Sequence, residues 1–144
     1  MFNFFKKEIK KYDKRGNLIY HRDDLGIERW YEYDKNGNET YYKYHAPLPD
    51  SKDFISRTSY DKNGNKVAYV NSDGHKIIFR YDENNRLVYQ CDNTGYQKFY
   101  QYDEQGEPTY IKVIQELEYK NSHTYAKFLD ADAAEALKLL KDIE

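Results

Sequence analysis

Tyr-Asp pairs recur along this chain at Tyr12-Asp13, Tyr33-Asp34, Tyr60-Asp61, Tyr81-Asp82 and Tyr102-Asp103, at intervals of 21, 27, 21 and 21 residues. Four residues after each tyrosine stand Gly16, Gly37, Gly64, Asn85 and Gly106. The hexapeptide YDKNGN is written twice, at 33–38 and 60–65. A fixed period of this size confines the chain to a repeat architecture, one supersecondary unit built again and again.

The repeated letters spell turns. Asp suits the first position of a type I turn, where its carboxylate accepts backbone N–H groups two residues on. Gly supplies the positive φ that follows in a short hairpin loop. Asn85, the one replacement for Gly, is the next residue best able to hold that conformation. Gly16, Gly37, Gly64, Asn85 and Gly106 are therefore structural turn positions. A second turn signal follows in DDLG (23–26), NSDG (71–74) and DNTG (92–95). Between the signals lie strand-like runs such as NLIYHR, IERWYEY, NKVAYV, KIIFRY, RLVYQC and QKFYQY. Short strands at this spacing predict an open, twisted antiparallel β-meander of roughly ten strands. The repeat tyrosines share one mostly apolar strand face. A second tyrosine column falls eight residues later, at Tyr20, Tyr41, Tyr89 and Tyr110. Ala68 interrupts it, with Tyr69 one residue late, and predicts a bulge there.

Composition agrees. Aromatic residues make up 17% of the chain, 17 of them Tyr, against only 39% hydrophobic residues in total. The core must then be built largely from tyrosine, a strand former with an apolar body and a polar tip. At 144 residues the chain is expected to form one domain, with five repeat units over 9–114, a connection or final strand over 115–128, and a helix over 129–144.

The segments YDKRGNLIYHRDDLGIERWYEYD (12–34) and YDENNRLVYQCDNTGYQKFYQYD (81–103) resemble the YD repeats of Rhs-type proteins. The resemblance covers about 9–114 and is specific to the repeat architecture. In large family members such repeats coil into hollow β shells around a toxin domain or lie on the cell surface, and carbohydrate contact is attributed to some. Five units do not close a shell, and no toxin or autoproteolysis segment is recognisable here, so shell and encapsulation functions do not carry over.

The array breaks at HAPLPDSKDFISR (45–57), where Pro47 and Pro49 forbid a central strand. The stretch reads either as an idle surface insertion or as a binding loop held by a rigid scaffold. It follows the densest aromatic run, with the single Trp in RWYEY (29–33) and then YYKY (41–44). Trp and Tyr are enriched at binding hot spots. The candidate partner-binding residues are Trp30, Tyr42, Tyr44, His45, Pro47, Leu48, Asp50 and Lys52. Tyr33 and Tyr41 are expected in the core.

Residues 129–144 change language. Leu129, Ala133, Ala136, Leu137 and Leu140 fall at helical spacing. The helix is expected to cap the sheet; the alternative is a helix offered to a partner. Phe2, Phe4 and Phe5 are expected against the sheet.

The formal charge of −2 gives no footprint for nucleic acid. Cys91 is the only cysteine, so no internal disulfide forms. The amino-terminal stretch lacks signal-peptide features and no run reaches membrane-spanning length, which together predict a cytoplasmic protein with no membrane contact. No phosphate loop, dinucleotide fingerprint or nucleophile elbow occurs. His21, His45, His75 and His123 lack metal spacing. No catalytic, metal or cofactor site is expected.

These features favour a non-enzymatic protein-binding module, an inhibitor such as an immunity-like or phage anti-defence protein acting on a bacterial toxin or defence enzyme. The alternatives are a carbohydrate-binding module and a scaffold fragment. Exposed aromatic rows interleaved with Asp or Asn favour sugar; an aromatic patch rimmed by charge favours a protein.

Overall fold

A computed structural model describes residues 7–115. The strands are β1 (Ile9–Tyr12), β2 (Leu18–Arg22), β3 (Glu28–Tyr33), β4 (Glu39–His45), β5 (Phe54–Tyr60), β6 (Lys66–Asn71), β7 (Lys76–Tyr81), β8 (Leu87–Asp92), β9 (Tyr96–Tyr102) and β10 (Pro108–Gln115). They form one open antiparallel sheet in sequence order. The described residues hold no helix, and the expected segments at 129–144 and 2–5 lie outside them. The chain divides into two compact units, Met1–Thr58 with Asn71–Asp73, and Ser59–Val70 with Gly74–Glu144.

Every repeat turn is built alike. Asp13 N donates to Asn17 O at 2.9 Å and Gly16 N to Asp13 O at 3.1 Å, and the same pair of bonds recurs from Asp34, Asp61, Asp82 and Asp103. The Asp Oδ1 accepts the N–H groups two and four residues on, as Asp34 does from Asn36 and Asn38 at 2.8 and 3.0 Å. Oδ2 takes a side chain from the latter position: Asn17, Asn38 and Asn65 at 3.0 Å, Arg86 at 2.7 Å. This side-chain amide is the largest influence holding the Asp13 and Asp34 carboxyls below their usual range. For Asp82 it is the backbone N–H of Arg86.

The residue after each turn takes positive φ, from +60° at Asn85 to +86° at Gly37. A Cβ on Gly37 would meet nothing nearer than Arg15 Nη2 at 3.9 Å, so backbone conformation alone requires glycine there. Asn85 adds a link that Gly lacks: its Oδ1 accepts from Asn63 and Asn65 of the preceding turn at 2.9 and 3.0 Å. In the other unit Arg15 binds the carbonyls of Asp34 and Lys35.

Four register shifts fall at the same point of the repeat, leaving Ile19, Thr40, Val88 and Thr109 without an opposite residue. The extra residue sets Tyr20 opposite Lys11 rather than beside Tyr12, which puts the two tyrosine columns on opposite faces. β6 and β7 pair in unbroken register through Ala68, Tyr69 and Val70. Ala68 keeps the column position and is fully buried, so a small side chain fits there and Tyr69 turns to the other face.

Each tyrosine column has its own polar partner. Tyr33 Oη donates to Leu18 O at 2.9 Å, and Tyr102 Oη to Leu87 O at 2.7 Å, carbonyls just beyond the ends of the β2–β3 and β8–β9 ladders. In the second column Tyr20 Oη donates to Glu28 at 2.9 Å and Tyr89 Oη to Gln97 at 3.1 Å. Burial, then the bond to Glu28, raises the Tyr20 hydroxyl above its ordinary range. In the second unit the cross-strand row Ala68, Ile78, Cys91 and Gln97 is buried and forms its core with Val70.

Candidate functional site

The first unit presents two different faces. Directly opposed residues of neighbouring strands share a face. The row Lys11, Tyr20, Trp30, Lys43 and Ile55 therefore crosses β1 to β5 on one side. Glu32, Tyr41 and Arg57 form a second row there, and Arg22, Glu28 and His45 a third. On the reverse side lie Tyr31, Tyr42 and Ser56, with Arg29, Tyr44 and Phe54.

Trp30 and the pair Tyr42 and Tyr44, grouped by sequence proximity, consequently point in opposite directions. On the reverse face Tyr42 sits between Tyr31 and Phe54, with ring centres 5.4 and 6.3 Å apart. Ser56 is buried beside it. Burial is the main cause that raises the Tyr31 hydroxyl above its usual range. Tyr44 carries the Arg29 guanidinium 5.7 Å from its ring centre, and Arg29 is bound in turn by Asp23 at 3.2 Å. Tyr33, Tyr41, Tyr42 and Tyr44 are all half-buried.

On the Trp30 face every column ring carries a cation. Lys11 lies 5.2 Å from the Tyr20 ring centre, Lys43 5.0 Å from Trp30, and Arg57 4.9 Å from Tyr41. Tyr20 and Trp30 meet at 5.5 Å, tilted by 54°. Each cation–ring contact contributes on the order of 0.5–1 kcal/mol where exposed. Lys43 also binds Asp53 Oδ2 at 2.8 Å, while His45 Nδ1 lies 2.7 Å from Asp53 Oδ1. Asp53 is held below the ordinary carboxylate range, first by the Lys43 hydrogen bond and then by His45. Lys43 is raised by the same bond.

The insertion is shorter than 45–57. β4 runs through His45 and β5 starts at Phe54, because His45 still pairs with Glu28 and Phe54 with Tyr44. The loop is 46–53. Leu48 N donates to Ala46 O at 2.9 Å and Ser51 N to Leu48 O at 3.2 Å, with Ser51 Oγ also on Ala46 O. Pro47, Leu48, Asp50 and Lys52 are exposed on it, Leu48 at 67%. Asp53 ties its base to the Trp30 face.

Sequence proximity missed Tyr20, Glu28, Tyr41, Lys43, Asp53 and Arg57 as parts of this surface. Strand alternation held the signal: the hairpin closed at Asp34 brings Trp30 opposite Lys43 and leaves Tyr42 and Tyr44 behind. Among the described residues no group of His, Cys, Asp or Glu is placed to hold a metal ion. No helix among them is long and apolar enough to cross a membrane.

No family model matches the chain, and no curated protein matches it. Solved structures do. The crystal structure of TcdB2-TccC3-Cdc42 matches with a TM-score of 0.66 at 19% identity, over 76% of this chain and 6% of that one. The Photorhabdus luminescens Tc holotoxin pore carrying TccC3-D651A matches with a TM-score of 0.66 at 19% identity, over 76% of this chain and 5% of that one. At this identity the likeness is one of fold, and this chain shares it with a stretch covering only 5–6% of those toxin-complex chains.

Proposed function

We propose that the chain is a non-enzymatic protein-binding module whose contact surface is the Trp30 face, with the loop at 46–53 beside it. The carrying observation is the occupied ring faces: Lys11, Lys43 and Arg57 lie over Tyr20, Trp30 and Tyr41. A sugar platform needs open ring faces. A half-buried aromatic patch studded with cations, with Glu28, Glu32 and Asp53 among them, suits a protein surface that exchanges these charges for its own. The Tyr-Asp array supports placing the chain with the YD-repeat proteins as a short member. The solved chains sharing the fold come from assemblies of several proteins, TcdB2, TccC3 and Cdc42 among them. For the partner we favour a toxin or defence enzyme that the module inhibits by occlusion.

Replacement of Tyr41 or Tyr44 by a photo-cross-linking phenylalanine, followed by irradiation in lysate of the source cells, tests the surface. The expected result is a discrete protein adduct from position 41, absent from position 44 and lost with Trp30→Ala. Equal adducts from both positions, or none from either, contradict the assignment. Binding to a glycan array without any protein adduct transfers it to the carbohydrate reading.

A further inference from the structure

Asparagine precedes glycine in this sequence only at Asn36-Gly37 and Asn63-Gly64, each inside a copy of YDKNGN. The pair is chemically reactive. The backbone nitrogen of the following residue attacks the side-chain carbonyl carbon of asparagine. A glycine there has no Cβ to hinder the approach and a permissive backbone that lets the atoms meet. Both pairs are exposed, so water reaches them.

The two turns share their letters and nearly all of their geometry. Asn36 N donates to Asp34 Oδ1 at 2.8 Å and Asn63 N to Asp61 Oδ1 at 2.9 Å. Gly37 N donates to Asp34 O and Gly64 N to Asp61 O, each at 3.1 Å. φ is +86° at Gly37 and +83° at Gly64. The asparagine side chains differ. Asn63 Nδ2 donates to Asn85 Oδ1 at 2.9 Å, and Asn65 Nδ2 binds the same oxygen at 3.0 Å. One repeat beyond Asn36, the position of Asn85 is held by Gly64, which has no side chain to offer. Among the described residues the Asn36 side-chain amide has no hydrogen-bond partner. Arg15 grips the carbonyls of Asp34 and Lys35, which take no part in the reaction.

We infer that Asn36 is a site of spontaneous deamidation and that the Asn85 side chain shields its twin, Asn63. Gly37 N loses its proton to hydroxide and bonds to Asn36 Cγ. The Cγ–Nδ2 bond breaks, and ammonia leaves with a proton from water. Water then opens the cyclic imide. Cleavage of the new Cγ–N bond leaves aspartate; cleavage at the backbone carbonyl leaves isoaspartate, with the chain running through the former side chain. Water enters, ammonia leaves, and nothing is oxidised or reduced. Either product adds a negative charge. Isoaspartate also adds a methylene to the backbone of the turn that closes β3 onto β4, and so displaces Gly37 N from Asp34 O. The chemistry does not depend on what the Trp30 face binds.

The full chain is aged in mildly alkaline buffer, beside a sample unfolded in urea, and each site is followed by peptide mapping with mass spectrometry. The identical hexapeptides set the intrinsic ratio of the two rates in urea. In the folded chain Asn36 should outpace Asn63 by about fivefold beyond that ratio, the factor that about 1 kcal/mol of hydrogen bonding makes. Asn85→Gly, which puts the repeat's usual residue at a positive φ, should raise Asn63 to the Asn36 rate and leave Asn36 unchanged. A folded ratio no greater than the urea ratio overturns the inference. So does an unreacted Asn36 in the folded chain, or an Asn63 rate indifferent to Asn85→Gly.

Discussion

The hydroxyl of Tyr33 does what a phenylalanine at this repeat position could not. It satisfies Leu18 O, a carbonyl 15 residues earlier, and Tyr102 repeats the bond on Leu87 O. Tyr33→Phe and Tyr102→Phe should each cost about 1 kcal/mol, the net worth of a hydrogen bond plus a stranded acceptor. Tyr12, 57% exposed, should tolerate Phe within about 0.5 kcal/mol. Urea denaturation of the three variants measures the contrast; three equal losses would refute it. Gly37→Val should cost on the order of 1–2 kcal/mol through backbone strain alone, since no neighbour crowds its Cβ. The turn residues were legible in the sequence because Asp and Gly are each demanded by local geometry. The tyrosine partners were not, because a backbone carbonyl one strand away leaves no letter to read.

At the scale of the hairpin, the turn aspartates tie stability to pH. Asp13, Asp34 and Asp82 are held below their usual range in the folded chain. Above the ordinary aspartate range, near pH 4, they are charged in both states and the turn bonds contribute in full. As pH falls through the lowered folded values they take up protons and that contribution is lost. Circular dichroism from pH 7 to pH 2 should show cooperative loss of strand signal only below about pH 4, and Asp34→Ala should move the transition upward; an unshifted transition would contradict the role given to the carboxylate. Most strands were readable from turn spacing. The ends of the insertion were not: His45 and Phe54 extend β4 and β5 because their cross-strand partners hold them, a tertiary effect. Ala68 was legible as the holder of the column position, which it keeps opposite Ile78; that the fold buries the small side chain there was not, because burial depends on neighbours from other strands.

For the whole molecule, the sheet gives adjacent residues opposite destinations. Trp30 and Tyr31 are neighbours in sequence, yet one faces Lys43 and the other Tyr42. Reading the aromatic run as one cluster lost this distinction, although period-two alternation contained it. The shared fold of far longer toxin-complex chains does not decide the matter, since function belongs to sites and not to folds. The central claim is that the Trp30 face binds a protein and the Tyr44 face does not. The affinity of the cross-linked partner for Trp30→Ala and for Tyr44→Ala, both verified as folded, tests this most directly. The account predicts a loss of at least tenfold, about 1.4 kcal/mol, for Trp30→Ala and a change under twofold for Tyr44→Ala. Unchanged affinity with Trp30→Ala, or an equal loss with Tyr44→Ala, would contradict it.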